Sequence, residues 1–298
     1  MAEVRAAPSA ADRVRLIRRG ILFMVGAMLA SALMDTIAKW LARDYEVAQV
    51  VWARYFFHTL TVMALFGGFR LRAIMATRRP GLQAIRSLLM LIATMAFFTA
   101  LKYLPLAESV AIGYASPFFV TALSVVFLGE KVGIRRWTAI VVGFTGVLVI
   151  IRPGFADVHW AAFLPLVMAS CFALYQILTR ITSRVDDTRT NLFYASAAAT
   201  VVLTFAMPFV WTPPDLAGWG LMVLVGVCGG MCHFLIIKGY EIAPASILSP
   251  FVYASIVWTT ALGFFVFGDF PDGWAWLGTA IVIASGLYIF RRETRRAG

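Results

Sequence analysis

Ten apolar runs, each about twenty residues long, follow one another along the chain with only short polar connections between them. A helix rises 1.5 Å per residue, so about 20 residues cross the ~30 Å hydrocarbon core of a bilayer. The runs lie at about 18–41, 49–67, 83–102, 107–128 and 134–151, then at about 158–180, 190–210, 217–238, 245–267 and 273–291. Connections such as the proline-containing turn Lys102–Leu106 leave no room for a domain outside the membrane. Composition agrees: 61% of residues are hydrophobic and 14% charged, against ~45–50% and ~25% in a soluble domain. One water-soluble core cannot hide that much apolar surface, so lipid must cover it. The expected fold class is an all-α polytopic membrane protein of ten transmembrane helices.

The first run follows Arg13, Arg15, Arg18 and Arg19, which resembles the basic start of a signal peptide. It is too long for that role, carries Asp35 and Lys39, and ends without a small-residue cleavage site, so it reads as a retained helix. Lys and Arg then set the orientation. With the N-terminus in the cytoplasm, 20 of the 26 fall on the cytoplasmic side, among them Arg5, Arg70, Arg72, Lys131, Arg184 and the tail arginines. Arg43, Lys102 and Arg152 fall on the opposite side, and Lys39, Arg54 and Arg86 lie within spans. This is the positive-inside asymmetry of an inner-membrane protein with both termini cytoplasmic. The same bursts explain the net charge of +11 without nucleic acid, which calls for one basic face interleaved with exposed aromatics. Cys171, Cys228 and Cys232 sit inside apolar runs and read as packing residues; two thiols without further ligands make no metal site.

Sliding the chain against itself by 139 residues aligns Ser31 with Ser170, Tyr55 with Tyr194, Pro105 with Pro244, Gly129 with Gly268, Glu130 with Asp269, and Trp137 with Trp276. With a slip of one residue, Gly146 meets Gly286. Each half holds an odd number of spans, so the second half enters the membrane from the opposite side. The expectation is two inverted-topology five-helix repeats over 18–152 and 153–291, between cytoplasmic tails 1–17 and 292–298. Transporters use such repeats to place a site at the midplane between two halves that rock, although channels and some membrane enzymes are duplicated too.

Particular segments carry a family resemblance. In the first half they are Ala38-Lys39-Trp40, Val51-Trp52-Ala53-Arg54-Tyr55, Ala100-Leu101-Lys102-Tyr103-Leu104-Pro105-Leu106-Ala107, Ser116-Pro117-Phe118, Gly129-Glu130-Lys131 and Gly143-Phe144-Thr145-Gly146-Val147. In the second half they are Gly239-Tyr240-Glu241-Ile242-Ala243-Pro244-Ala245, Pro250 and Gly268-Asp269. Through them the chain resembles the drug/metabolite transporter superfamily, specifically its EamA-type members. Members of that family export amino acids and drugs or import flavins, sulfonium nucleosides and other metabolites. Length and helix count are similar to the YddG-like branch that exports amino acids, aromatic ones included. The resemblance therefore implies a secondary transporter of small molecules in the bacterial inner membrane. Amino-acid export is the first expectation, and import of riboflavin or an adenosyl metabolite is the alternative.

Ionisable groups at membrane depth are costly and become functional candidates by default. Asp35 and Lys39 are four apart on one helix face, and Arg54 lies at similar depth in the second span. Asp35 is expected to neutralise Arg54, Lys39 or both, as a structural pair or as a gate that breaks in one state; Arg54 is alternatively a contact for a substrate carboxylate. Arg86, near the inner end of the third span, is expected to snorkel to the headgroups. His58 and His233 are candidates for proton relay, or hydrogen-bonded packing residues. Pro117 and Pro250 interrupt the fourth and ninth spans, which backbone tolerates where it lines a cavity, although the two prolines do not coincide at the 139 offset. Arg54, Tyr55, His58, Tyr114, Ser116, Tyr175, Gln176, Tyr194, Tyr253 and Trp258 form the candidate substrate lining, aromatic with polar handles. Membrane packing and the interfacial aromatic belt compete for the same residues. Gly226 and Gly230 form a GxxxG that allows close helix approach.

The chain lacks GxxxxGK[ST], HExxH and GxSxG, and no acidic cluster makes a hard-metal cage. No cofactor, metal or obligate protein partner is expected. Transport would be passive, by exchange, or coupled to an ion gradient. A membrane enzyme is disfavoured for want of a nucleophile–base pair, and a channel would differ by conducting without saturation.

Overall fold

The computed structural model describes residues 10–65, 76–129, 132–152 and 159–297. Arg5, Arg70, Arg72, Glu130 and Lys131, and the junction at 153 between the expected repeats, lie outside the described residues. The helices are α1 (Ala10–Leu41), α2 (Val47–Leu65), α3 (Pro80–Tyr103), α4 (Leu106–Gly113), α5 (Ser116–Leu128) and α6 (Ile134–Ile151). A 3-10 turn, Trp160–Phe163, leads into α7 (Leu164–Thr182), followed by α8 (Thr188–Val210) and α9 (Leu216–Ile242). Then come the short α10 (Ala245–Leu248), a 3-10 turn (Ser249–Tyr253), α11 (Ala254–Leu262), a π turn (Gly263–Phe267) and α12 (Gly273–Ala297). No strand occurs among the described residues. Seven stretches within them are long and apolar enough to cross a membrane, and Trp137–Ile151 and Gly273–Ile289 are shorter apolar helices. Both terminal helices run past the apolar segments, α1 starting at Ala10 and α12 ending at Ala297, because Ala, Arg and Glu sustain a helix well outside lipid.

Local chemistry sets the boundaries. Pro80 opens α3, where its missing N–H costs nothing. The Asp215 carboxylate accepts from Gly218 N–H at 2.7 Å to start α9, and Asp272 accepts from Ala275 N–H at 2.8 Å to start α12. The positions matched in sequence adopt matching backbone. Gly129 (φ 66°) and Gly268 (φ 74°) both end their helices in the left-handed conformation that glycine takes without strain. Leu104 and Ala243 are both extended, each keeping a backbone bond to the residue four before, ahead of Pro105 and Pro244.

Helix packing follows the same exchange. The 139 offset maps α1 onto α7, α2 onto α8 and α3 onto α9. Helix α1 packs along α9 and α11, as α7 packs along α3 and α5; α2 packs on α9 as α8 packs on α3. The pairs α2–α8 and α6–α12 map onto themselves. Three apolar clusters fill the interior, one joining α1–α4, α8 and α9, one joining α3–α7 and α12, and one joining α1, α9 and α10. The outer face is apolar too: Phe209 is 87% exposed and Leu216 90%, an arrangement that calls for a lipid solvent. The GxxxG of α9 is buried against α2 of the same chain, Gly226 against Phe57 and Gly230 against Thr61.

Candidate functional site

Small residues let α1, α2 and α9 come close enough to bury polar side chains between them. Asp35 on α1 and Arg54 and His58 on α2 are all nearly inaccessible. The Arg54 guanidinium meets neutral partners: Nε lies 3.2 Å from Met34 Sδ, Nη1 donates to Thr94 Oγ1 at 3.4 Å, and the group covers the Tyr55 ring at 4.7 Å. Asp35 Oδ1 is buried with no hydrogen-bond donor among the described residues. Arg54, Tyr114 and Cys232 lie within electrostatic reach of the Asp35 carboxylate. His58 and His233 meet edge to face at 5.1 Å; His233 Nδ1 is 2.9 Å from the Gly229 carbonyl, whereas His58 Nδ1 is buried without a partner. Two histidines that are lone residues in sequence are thus neighbours.

Neither partner expected for Asp35, Lys39 or Arg54, is in ion-pair contact with it in this structure, although Arg54 lies within electrostatic reach. Lys39 Nζ sits 2.7 Å from Asp269 Oδ2 and 2.7 Å from the Leu104 carbonyl, over the Phe267 ring at 4.9 Å. The cause is reach: Lys39 occupies the last turn of α1, and its stem carries the ammonium outward to a carboxylate and a helix-end carbonyl. At that same end Arg152 pairs with Asp272, tying the end of α6 to the start of α12. The Asp272 carboxyl lies below the usual range, held there first by the Ala275 N–H and then by Arg152.

A second centre joins the broken helices. Tyr114 and Tyr253 touch, their rings 4.9 Å apart. The Tyr114 hydroxyl donates to the Val252 carbonyl at 2.8 Å and shares a 2.5 Å bond with Ser255 Oγ. Ser116 Oγ, Trp258 Nε1 and Thr260 Oγ1 are buried without partners among the described residues. The proline mismatch conceals a close correspondence: Tyr114-Ala115-Ser116 and Tyr253-Ala254-Ser255 are the same tripeptide at the 139 offset. Regular helix resumes at Ser116 and at Ala254, one residue apart in that register.

The expectation for Arg86 is corrected. It does not snorkel but is fully buried. Its Nε donates to Gln83 Oε1 at 3.0 Å, Nη1 to Thr179 Oγ1 at 3.1 Å and to the Tyr175 hydroxyl at 3.3 Å, and Nη2 to the Asn191 carbonyl. Gln83 Nε2 in turn donates to Asp186 Oδ2 and Asn191 Oδ1, both at 2.8 Å. Asp186 also accepts from Thr77 Oγ1 at 2.6 Å and Arg78 N–H at 3.0 Å. Burial works to raise the Asp186 carboxyl, but the Thr77, Gln83 and Arg78 donors outweigh it and hold it below the usual range. This network lies at the end of the bundle opposite Lys39.

The structure therefore divides the predicted lining. Arg54, His58, Tyr114, Ser116, Tyr253 and Trp258 belong to the elements around the central contacts. Tyr55 sits beneath Arg54, its hydroxyl bonded to Thr94 Oγ1 at 2.6 Å and the Met90 carbonyl at 3.0 Å. Tyr175 belongs to the Arg86 network and stacks on Phe172 at 5.7 Å. Tyr194 lies beside it, its carbonyl accepting from Ser87 Oγ at 2.6 Å, and Gln176 is exposed. Thr94, Ser255 and Asp269 were absent from the expected set; the repeated tripeptide was the available signal for Ser255.

Comparison with known proteins places this geometry. The model of the EamA-like transporter family matches residues 18–152 and again 159–291. A riboflavin transporter of Vibrio cholerae is 29% identical over 94% of this chain and 95% of its own length. An S-adenosylmethionine uptake transporter of Rickettsia bellii is 25% identical over 95% and 97%. A pseudopaline exporter of Pseudomonas aeruginosa is 25% identical over 93% and 98%. A solved crystal structure shares the fold at a TM-score of 0.63 and 20% identity, covering 93% of this chain and 98% of that one.

Proposed function

The chain belongs to the EamA-like transporter family, and we propose that it is a secondary carrier in which ten crossings, as two inverted five-helix repeats, move a small zwitterionic metabolite by alternating access. The exchange-related packing of the helices and the matched glycine and proline turns support the two-repeat reading. The substrate reading rests on one observation: a buried guanidinium on neutral partners lies within electrostatic reach of a buried carboxylate oxygen that has no donor among the described residues. Charged groups inside a membrane are costly until paired. A ligand with a carboxylate for Arg54 and an ammonium for Asp35 satisfies both, while Tyr114, Tyr253 and Trp258 offer apolar faces to the rest of it.

Amino acids, aromatic ones included, have this chemistry, and so does the amino-acid end of S-adenosylmethionine. The relatives' names favour a second reading, riboflavin, on the 29% identity to the Vibrio protein. Riboflavin carries no carboxylate, so the two readings part at Arg54. Uptake and export both occur among the named relatives, and direction is read in the same experiment. Purified protein in liposomes is offered labelled amino acids, S-adenosylmethionine and riboflavin, from either side and with or without a pH gradient, beside Arg54→Ala. Saturable flux of a zwitterion that Arg54→Ala abolishes supports the proposal. Riboflavin flux indifferent to Arg54 replaces it with the second reading, and conductance without saturation makes the protein a channel.

A further inference from the structure

We propose that the two Tyr-Ala-Ser segments form an exchanging latch, in which Tyr114 holds one access state and Tyr253 the other. This inference rests on the alternating-access reading. In an inverted repeat each half adopts, in one state, the conformation of its counterpart in the other. Any asymmetry between matched residues in one structure therefore describes what changes hands.

Here the asymmetry is specific. The Tyr114 hydroxyl bonds the Val252 carbonyl and Ser255 Oγ across the helix contact. The 139 offset turns Tyr114 into Tyr253, Val252 into Gly113 and Ser255 into Ser116. The reciprocal set is thus the Tyr253 hydroxyl with the Gly113 carbonyl and Ser116 Oγ. None of it is made: the Tyr253 hydroxyl has no hydrogen bond among the described residues and lies against Gly286, where a Cβ would fall 1.9 Å from it. Ser116 Oγ is buried and partnerless. Pro117, lacking an N–H, gives no helical bond to the Gly113 carbonyl one turn before it, which leaves that acceptor ready for another donor. Both rings are already in contact, so the exchange needs a slide of one helix break past the other with no new packing partner. One hydroxyl–carbonyl bond and one hydroxyl–hydroxyl bond are lost and the same two are gained, which keeps the states close in free energy.

The present state has its Lys39 end closed by the Lys39–Asp269 and Arg152–Asp272 pairs. Removing the Tyr114 hydroxyl weakens this state, and removing the Tyr253 hydroxyl weakens the other. Spin labels at Asp44→Cys and Gly273→Cys, both exposed at the Lys39 end, report its opening in full-length protein lacking Cys171, Cys228 and Cys232. Two distance populations are expected. Tyr114→Phe raises the long-distance population by about five- to thirtyfold, the worth of one to two net hydrogen bonds; Tyr253→Phe lowers it by a similar factor. Both variants keep the ring stack, and the double variant returns toward the starting ratio. Ser255→Ala and Ser116→Ala repeat the two directions from the serine side. Two populations that both variants shift the same way, or leave alone, overturn the latch while sparing alternating access. A single distance in every variant and with every solute of the transport panel removes alternating access, and the latch with it.

Discussion

Arg54 and Arg86 are both buried guanidiniums, but their partners differ. Arg86 is fully bonded by Gln83, Tyr175, Thr179 and Asn191, so it holds α3, α7 and α8 together. Arg86→Met strands those donors and acceptors and is expected to cost about 1.5–3 kcal/mol, read as a lower melting temperature of the purified protein. Arg54→Met removes a charge that lacks a counterion in contact, so its melting temperature should hold or rise while zwitterion flux falls by more than about tenfold. Equal losses of stability in the two variants would contradict the division. Asp186 adds a pH signature. Its folded-state carboxyl lies below the usual range, so its contribution is full above the unfolded value of about 3.9 and is lost as pH falls through the folded one. Asp186→Asn should therefore melt below the wild type at pH 7, and the gap should close toward pH 3. Depth alone was legible in the sequence for both arginines. Their partners were not, because Asn191 and Thr179 reach Arg86 through tertiary packing of helices far apart in the chain.

At the scale of elements, the sequence exposed most of what the backbone does. Apolar runs of the right length became helices, Pro105 and Pro244 became matching turns, and Gly129 and Gly268 became matching caps, since each rests on local physics. The interruptions of the fourth and ninth runs were visible as Pro117 and Pro250, yet their symmetry was hidden, because the helix restarts are aligned by the tripeptides rather than by the prolines. The GxxxG of α9 was legible as a close-approach motif, but its partner, α2, was not. That partner makes a contrast within one helix. A Cβ on Gly226 would lie 2.3 Å from Phe57 Cβ and 2.8 Å from the His58 backbone nitrogen, while one on Gly220 meets nothing within 4 Å. Gly226→Ala should force α2 and α9 apart and cost about 1–3 kcal/mol despite alanine's better helix propensity. Gly220→Ala should gain up to about 1 kcal/mol. Thermal unfolding of the two variants in one detergent tests this; equal melting temperatures would mean that the α2–α9 contact is loose.

Across the whole molecule, polar ties gather at both ends of the bundle while the middle keeps its charges apart. At one end Asp186 gathers Thr77, Arg78 and Gln83; at the other Lys39 joins α1 to the α3–α4 turn and to the loop before α12. The Lys39 tie spans the two halves, so it must break if that end is to open. Its strength lies between the ~1 kcal/mol of surface pairs and the ~3 kcal/mol of a charged hydrogen bond out of water, because Lys39 is only 12% exposed but Asp269 is 32%. Loss of the tie should raise the open population at the Lys39 end roughly five- to hundredfold. Lys39→Met removes the bonds to both Asp269 and the Leu104 carbonyl, whereas Asp269→Asn removes only the ionic one and leaves the carbonyl bond in place. The opening should therefore be larger in Lys39→Met than in Asp269→Asn, and the double variant should match Lys39→Met alone. The Asp44–Gly273 label pair measures this directly, and additive effects in the double variant would mean that the two residues act on different contacts. In the proposed alternating-access cycle a tie of this size also limits turnover: opening must offset it each time, so Asp269→Asn should speed exchange of a saturating substrate wherever opening of that end sets the rate.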